Sequence, residues 1–190
     1  MSLFELYLRL GFKHIIDING YDHIVFVLAL CAGYSFSQFK KVLVLVTAFT
    51  IGHSVTLALS TLKIVLIRAD IIEFLIPVTI LITAISNLFN QNKQKGYFIY
   101  LLTLFFGLIH GLGFSNYLKE LLGKESSIVS PLLAFNIGLE IGQILIISIH
   151  FLILFFAISF FKVNHKNWKI FISGAAAGIA AILIIENKFW

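Results

Sequence analysis

Long apolar runs without a formal charge set the limits on what this chain can fold into. Residues 42–62, 74–92, 97–118 and 141–161 contain no Asp, Glu, Lys or Arg. A helix needs about 20 mostly apolar residues to cross a hydrocarbon core of ~30 Å, and these runs follow one another with only short polar breaks. Soluble domains are charged at about a quarter of their positions. Here 12% of residues are charged, 59% are hydrophobic, and the mean hydropathy is +1.00. The prediction is an all-α polytopic transmembrane bundle. It forms one integral membrane domain over residues 1–190, with about six spans preceded by an N-terminal interfacial helix.

Residues 3–17 are the amphipathic segment. Phe4, Leu8, Phe12 and Ile15 fall at helical spacing, while Glu5, Arg9, Lys13 and Asp17 recur at every fourth position, the pattern of a helix lying in the membrane interface. Those charges come too early for the apolar core of a cleavable signal peptide. The spans are expected at 20–36, 39–62, 70–90, 96–119, 129–161 and 168–187. The fifth would be ~50 Å long at 1.5 Å per residue, so it must tilt or project.

The net charge of +5 does not point to nucleic acid, because the basic residues stand singly or in pairs between apolar runs, as topology signals do. Lys40, Lys41, Lys93, Lys95, Lys162, Lys166 and Lys169 fall on one side without an acid. Asp70, Glu73, Glu120, Glu125 and Glu186 fall on the other. Lysine and arginine counts tie, and the acids favour both termini outside the cytoplasm. A lone cysteine, Cys31, excludes an intrachain disulfide.

Ionisable groups within a membrane are costly and usually functional. The spans hold Asp22, His23, His53, Glu73, His110, Glu140 and His150, with the amides Asn87, Asn136 and Gln143. His53 and His110 lie at one depth, ~18–20 Å along their helices from the lysine-rich face. Glu140 enters from the opposite face, where Asp22 and His23 begin the first span. These groups are predicted to converge in one half of the membrane. Asn136, Glu140 and Gln143 share a helix face at i, i+4, i+7, and Glu73, Pro77, Ile80, Ala84 and Asn87 trace a stripe in which Pro77 can free a carbonyl. Gly52 and Ser54 flank His53, and Gly107, Gly111 and Gly113 flank His110, so helices can approach closely there. A faint repeat pairs Phe49-Thr50-Ile51-Gly52-His53 with Phe106-Gly107-Leu108-Ile109-His110.

Imidazoles with carboxylates suit Ni, Zn, Cu or Fe. His14 precedes Asp22-His23, and Gly20 between them could turn the chain so that His14 and His23 face one ion. The plainer reading also stands: a single membrane histidine is often an interhelical hydrogen-bonding group. That reading fits His150, while His165 falls in a loop. The candidate ligands are therefore His23, Asp22, His53, His110, Glu140 and His14, supported by Asn136, Gln143, Glu73 and Ser54.

Four segments carry a family resemblance: Gly20-Tyr-Asp22-His23-Ile-Val-Phe26, Phe49-Thr-Ile-Gly-His53-Ser54-Val-Thr56-Leu57, Phe106-Gly-Leu-Ile-His110-Gly-Leu-Gly-Phe114 and Phe135-Asn136-Ile-Gly138-Leu-Glu140-Ile-Gly142-Gln143. In this order they resemble the HupE/UreJ family of bacterial membrane proteins, over about residues 11–145. One departure is that the family's first motif places a histidine five residues ahead of the Asp-His pair, whereas seven residues separate His14 from Asp22. The resemblance implies uptake of a divalent transition metal across the bacterial inner membrane, with nickel foremost and cobalt next. The partners are then the lipid bilayer and the metal ion, and a homo-oligomer is compatible. The other readings are a membrane-embedded metalloenzyme, in which the same cluster holds a catalytic metal, and a structural subunit whose polar groups bind helices together.

Overall fold

The structure, a computed structural model, describes residues 2–89, 97–115, 118, 121 and 128–190. Every regular element among them is helical: α1 Leu3–Ile15, α2 Asp22–Cys31, a 3₁₀ turn Phe36–Gln38, α3 Phe39–Thr61, α4 Ala69–Phe89, α5 Tyr97–Gly113, α6 Val129–Ser159 and α7 His165–Glu186. Four of these are long and apolar enough to cross a membrane: the continuous stretch Phe36–Thr61, then α4, α6 and α7. At 1.5 Å per residue, α2 with 10 residues spans only about 15 Å and α5 with 17 about 25 Å. The expected first span is cut short because the chain turns after Cys31. Tyr34 N–H bonds to Cys31 O (2.9 Å), and the Gln38 side-chain oxygen accepts from Ser35 N–H (3.2 Å).

The apolar surface fits lipid contact. Phe105, Leu152, Phe155, Phe171 and Ile182 all stand exposed, more apolar area than water-soluble surfaces carry. The four membrane-long helices and this apolar exterior fit an integral membrane protein.

Glycines set the helix contacts that matter most here. A Cβ added to Gly52 would overlap the Leu104 carbonyl. One on Gly107 would overlap Phe49 O, and one on Gly111 would overlap His53 O. α3 and α5 therefore touch backbone to backbone along the segments of the faint repeat, so the two related sequences face each other. The predicted amphipathic helix is α1, and it too packs closely. Ser2 Oγ accepts from Glu5 N–H at its start, and Glu5 pairs with Arg9 on its exposed face. Its other face is seated on α6, where a Cβ on Gly11 would overlap Phe135 O and one on Gly138 would overlap Leu8 O.

α4 and α7 form a third pair. Pro77 has no N–H for the carbonyl of Glu73 four residues earlier. That carbonyl instead accepts from Asn187 Nδ2 at 3.3 Å, just past the end of α7. At the opposite end of the bundle, His165 Nε2 lies 3.1 Å from Tyr34 O, which gathers Lys162, Lys166 and Lys169 near Lys40 and Lys41.

Candidate metal centre

Four helices deliver histidines to one buried point. His14 comes from the last turn of α1, His23 from the first turn of α2, His53 from the glycine-flanked middle of α3, and His110 from the end of α5. His53 and His110 are wholly buried, and His23 is 4% exposed. Ring centroids lie 4.6 Å apart for His14–His23, 5.0 Å for His23–His110, 6.0 Å for His14–His53 and 6.1 Å for His23–His53. Among the described residues, potential ligand atoms fall into two triads, His14/His23/His53 and Asp22/His23/His110, each within 4.8 Å and joined through His23.

The hydrogen bonds decide which nitrogens are free. Asp22 Oδ1 accepts from the His23 backbone N–H (2.9 Å) and stands 3.0 Å from His23 Nδ1. An ionised carboxylate only accepts, so Nδ1 carries the hydrogen and Nε2 keeps its lone pair. Thr79 Oγ1 lies 2.7 Å from Ile76 O and 2.9 Å from His110 Nε2. Its single hydrogen goes to the carbonyl, so His110 Nε2–H donates to Thr79, and Nδ1 is the bare nitrogen. Among the described residues, His14 Nε2, His23 Nε2, His110 Nδ1 and both nitrogens of His53 are buried without a partner. Each buried unsatisfied polar atom costs about 1–3 kcal/mol. A neutral imidazole has one lone pair, so His14, His23, His53 and His110 can each turn one bare nitrogen to the centre, and neutral imidazoles with one carboxylate suit a borderline divalent metal.

Two cavities reach residues of the cluster. A cavity of about 780 Å³ reaches His14, lined also by Lys13, Asp17 and Phe114. Another of about 390 Å³ reaches Asp22 between Glu73, Pro77 and Asn187. Toward the lysine-rich end the centre is closed by rings. Phe49 and Phe106 precede their histidines by four residues, and Phe26 lies 4.8 Å from Phe49, 6.2 Å from Phe106 and 5.1 Å from His110.

The sequence-expected residues thus divide. Asp22, His23, His53, His110 and His14 come together. Glu140 belongs to neither triad; its Oε1 accepts from Thr47 Oγ1 at 2.6 Å. The amide of Gln143 meets Thr50, and Ser54 turns its hydroxyl back onto Thr50 O. Asn136 Oδ1 is buried without a partner among the described residues, and Glu73 lines the Asp22 cavity without touching a histidine ring. His150 accepts from Trp168 Nε1 at 3.5 Å, the helix-to-helix role expected of it. Thr79 and Phe26 were missed. Thr79 lies two residues after Pro77 and Phe26 three after His23, spacings that could have drawn notice.

Fold and centre together define a class: a helical integral membrane protein whose buried imidazole–carboxylate cluster is suited to a transition-metal ion. Residues 1–187 match the family model described as HupE / UreJ protein, and the chain belongs to the HupE/UreJ family. No curated protein and no solved structure matches it.

Proposed function

We propose that the protein is a permease carrying a divalent transition metal ion, nickel foremost, across the bacterial inner membrane. The observation that carries this reading is the buried set of four imidazoles with unpartnered nitrogens, with two members of the cluster, His14 and Asp22, lining cavities. The ion is the cargo. It enters through the Asp22 or His14 cavity, exchanges water for His14, His23, His53 and His110, and Asp22 offsets its charge. Proton competition for the same nitrogens weakens binding as the pH falls, so uptake is expected to decline when the outer side is acidified. In this reading the shorter α2 and α5 stand among the four membrane-long helices, α1 lies at the outer interface, and the lysine-rich end faces the cytoplasm.

The same geometry favours one alternative, a membrane-embedded metalloenzyme. His23 and His110 each have the second ring nitrogen fixed, by Asp22 and Thr79, as resident catalytic metals require, and the Phe26/Phe49/Phe106 cluster closes the path onward. Liposomes with a trapped metal-sensitive dye separate the two. A permease gives Ni²⁺ or Co²⁺ influx that falls at least tenfold in His53→Ala, from protein that loses its metal to a mild chelator. Metal retained through that dialysis, with no flux, would assign the centre to catalysis.

A further inference from the structure

The passage proposed above ends at an aromatic floor, yet the face of α3 turned to α6 is polar just beyond it. Thr50 and Thr47 precede His53 by three and six residues, so they lie about 4.5 and 9 Å from it along the axis, toward the lysine-rich end. Each meets a polar residue of α6: Thr47 donates to Glu140 (2.6 Å), and Thr50 Oγ1 lies 2.9 Å from the Gln143 amide.

Hydrogen counting identifies the atoms left over. Thr50 Oγ1 also lies 3.0 Å from Val46 O, one turn back on its own helix. One hydroxyl hydrogen cannot serve two acceptors. With the hydrogen on the carbonyl, Gln143 presents its NH₂ to Thr50, an orientation set by the surrounding network. As placed, Gln143 Oε1 faces Thr50 and Nε2 is buried without a partner; exchanging the two amide atoms leaves the Gln143 oxygen as the unpartnered one. Asn136 Oδ1 is likewise buried and unpartnered among the described residues. Asn136, Glu140 and Gln143 share one face of α6, and Gln143 is fully buried. The seam therefore offers a carboxylate and two amide oxygens, all acceptors, with no basic side chain hydrogen-bonded to Glu140 among the described residues.

We propose that Glu140, with the amide oxygens of Asn136 and Gln143, forms a second, oxygen-donor cation site, which takes a divalent ion from the histidine cluster toward the lysine-rich end beside the Phe49 floor. It rests on the permease reading and deepens it. Oxygen ligands hold borderline metals less tightly than imidazole does, and conduction needs a site weak enough to leave.

Two ions of different preference test it in purified full-length protein. Co²⁺ reports nitrogen ligation through its visible bands, and Mn²⁺, which prefers oxygen, reports the seam by electron paramagnetic resonance. Glu140→Gln, nearly isosteric, is expected to lower Mn²⁺ affinity at least tenfold and Co²⁺ flux at least tenfold while leaving the Co²⁺ bands intact. His53→Ala is expected to lose those bands and keep Mn²⁺ binding. Mn²⁺ binding unchanged in Glu140→Gln would overturn the second site. So would loss of the Co²⁺ bands in that variant, which would return Glu140 to the histidine cluster. Absence of the bands from the unaltered protein, with Glu140-dependent Mn²⁺ binding retained, would instead remove the histidine centre and leave the seam site standing.

Discussion

His110 presents Nδ1 to the centre only because Nε2–H is held by Thr79. Thr79→Val keeps the volume but removes the acceptor, leaving a buried N–H unpaired and the ring free to change tautomer. Such outer partners are worth 10–100-fold in metal affinity. Competitive Co²⁺ titration of Thr79→Val should show a loss in that range with the helical circular dichroism unchanged, and an unchanged affinity would remove Thr79 from the site. At this scale the sequence was informative about depth. Histidines at matching distances along parallel runs fall at one depth, and the close approach of α3 and α5 brings His53 and His110 to the same point. Glu140 matched the cluster in depth but not in direction. Helix spacing gave its face, shared with Gln143, and could not give the neighbour that face would meet. Thr47, Thr50 and Thr79 were illegible because a single hydroxyl barely interrupts an apolar run, whereas a buried charge must be explained.

At the scale of elements, the expected limits of α3, α4, α6 and α7 lie within about three residues of those found, since apolar length governs them. α2 ends early because Gly33 and the Ser35–Gln38 turn outweigh the hydropathy of the segment, and the rest of the expected fourth span after Ser115 lies largely outside the described residues. The small residues around His53 and His110 announced close packing correctly. Gly107→Ala must push its new Cβ against the Phe49 carbonyl, and backbone cannot yield as a side chain can. A destabilisation of about 1–3 kcal/mol is expected, together with weaker Co²⁺ binding. Gly174 has nothing within 4 Å of an added Cβ, so Gly174→Ala should be neutral or stabilising by up to about 1 kcal/mol. Thermal unfolding of the two variants in one detergent measures the contrast, and equal effects would dismiss the α3–α5 contact as the cause.

Across the whole molecule, the lysines at the Tyr34–His165 end and the acids around the Asp22 cavity make the two ends electrically unlike. Lysine and arginine counts tie between the ends, and the acids at the cavity end favour placing the lysine end in the cytoplasm. Ile18 is 81% exposed at the cavity end and Phe36 71% exposed at the lysine end, while the native Cys31 is fully buried. A membrane-impermeant maleimide should therefore label Ile18→Cys in intact cells, and Phe36→Cys only after the membrane is opened. The reverse pattern would invert the orientation and with it the direction of uptake.

The glycine contact between α3 and α5 also has a mechanical consequence. Two helices touching through their main chains cannot slide or roll past each other without breaking contact along the whole seam, so His53 and His110 ride on what amounts to one stiff plate. The short α2 is different: its 10 residues hang between a polar turn at each end, and its last turn is hooked to α4 through Asn87 Nδ2 on Ala29 O. Strain arriving at the centre is shed most easily through that slender piece, so in the permease reading the side expected to yield is the one that carries Asp22 and His23.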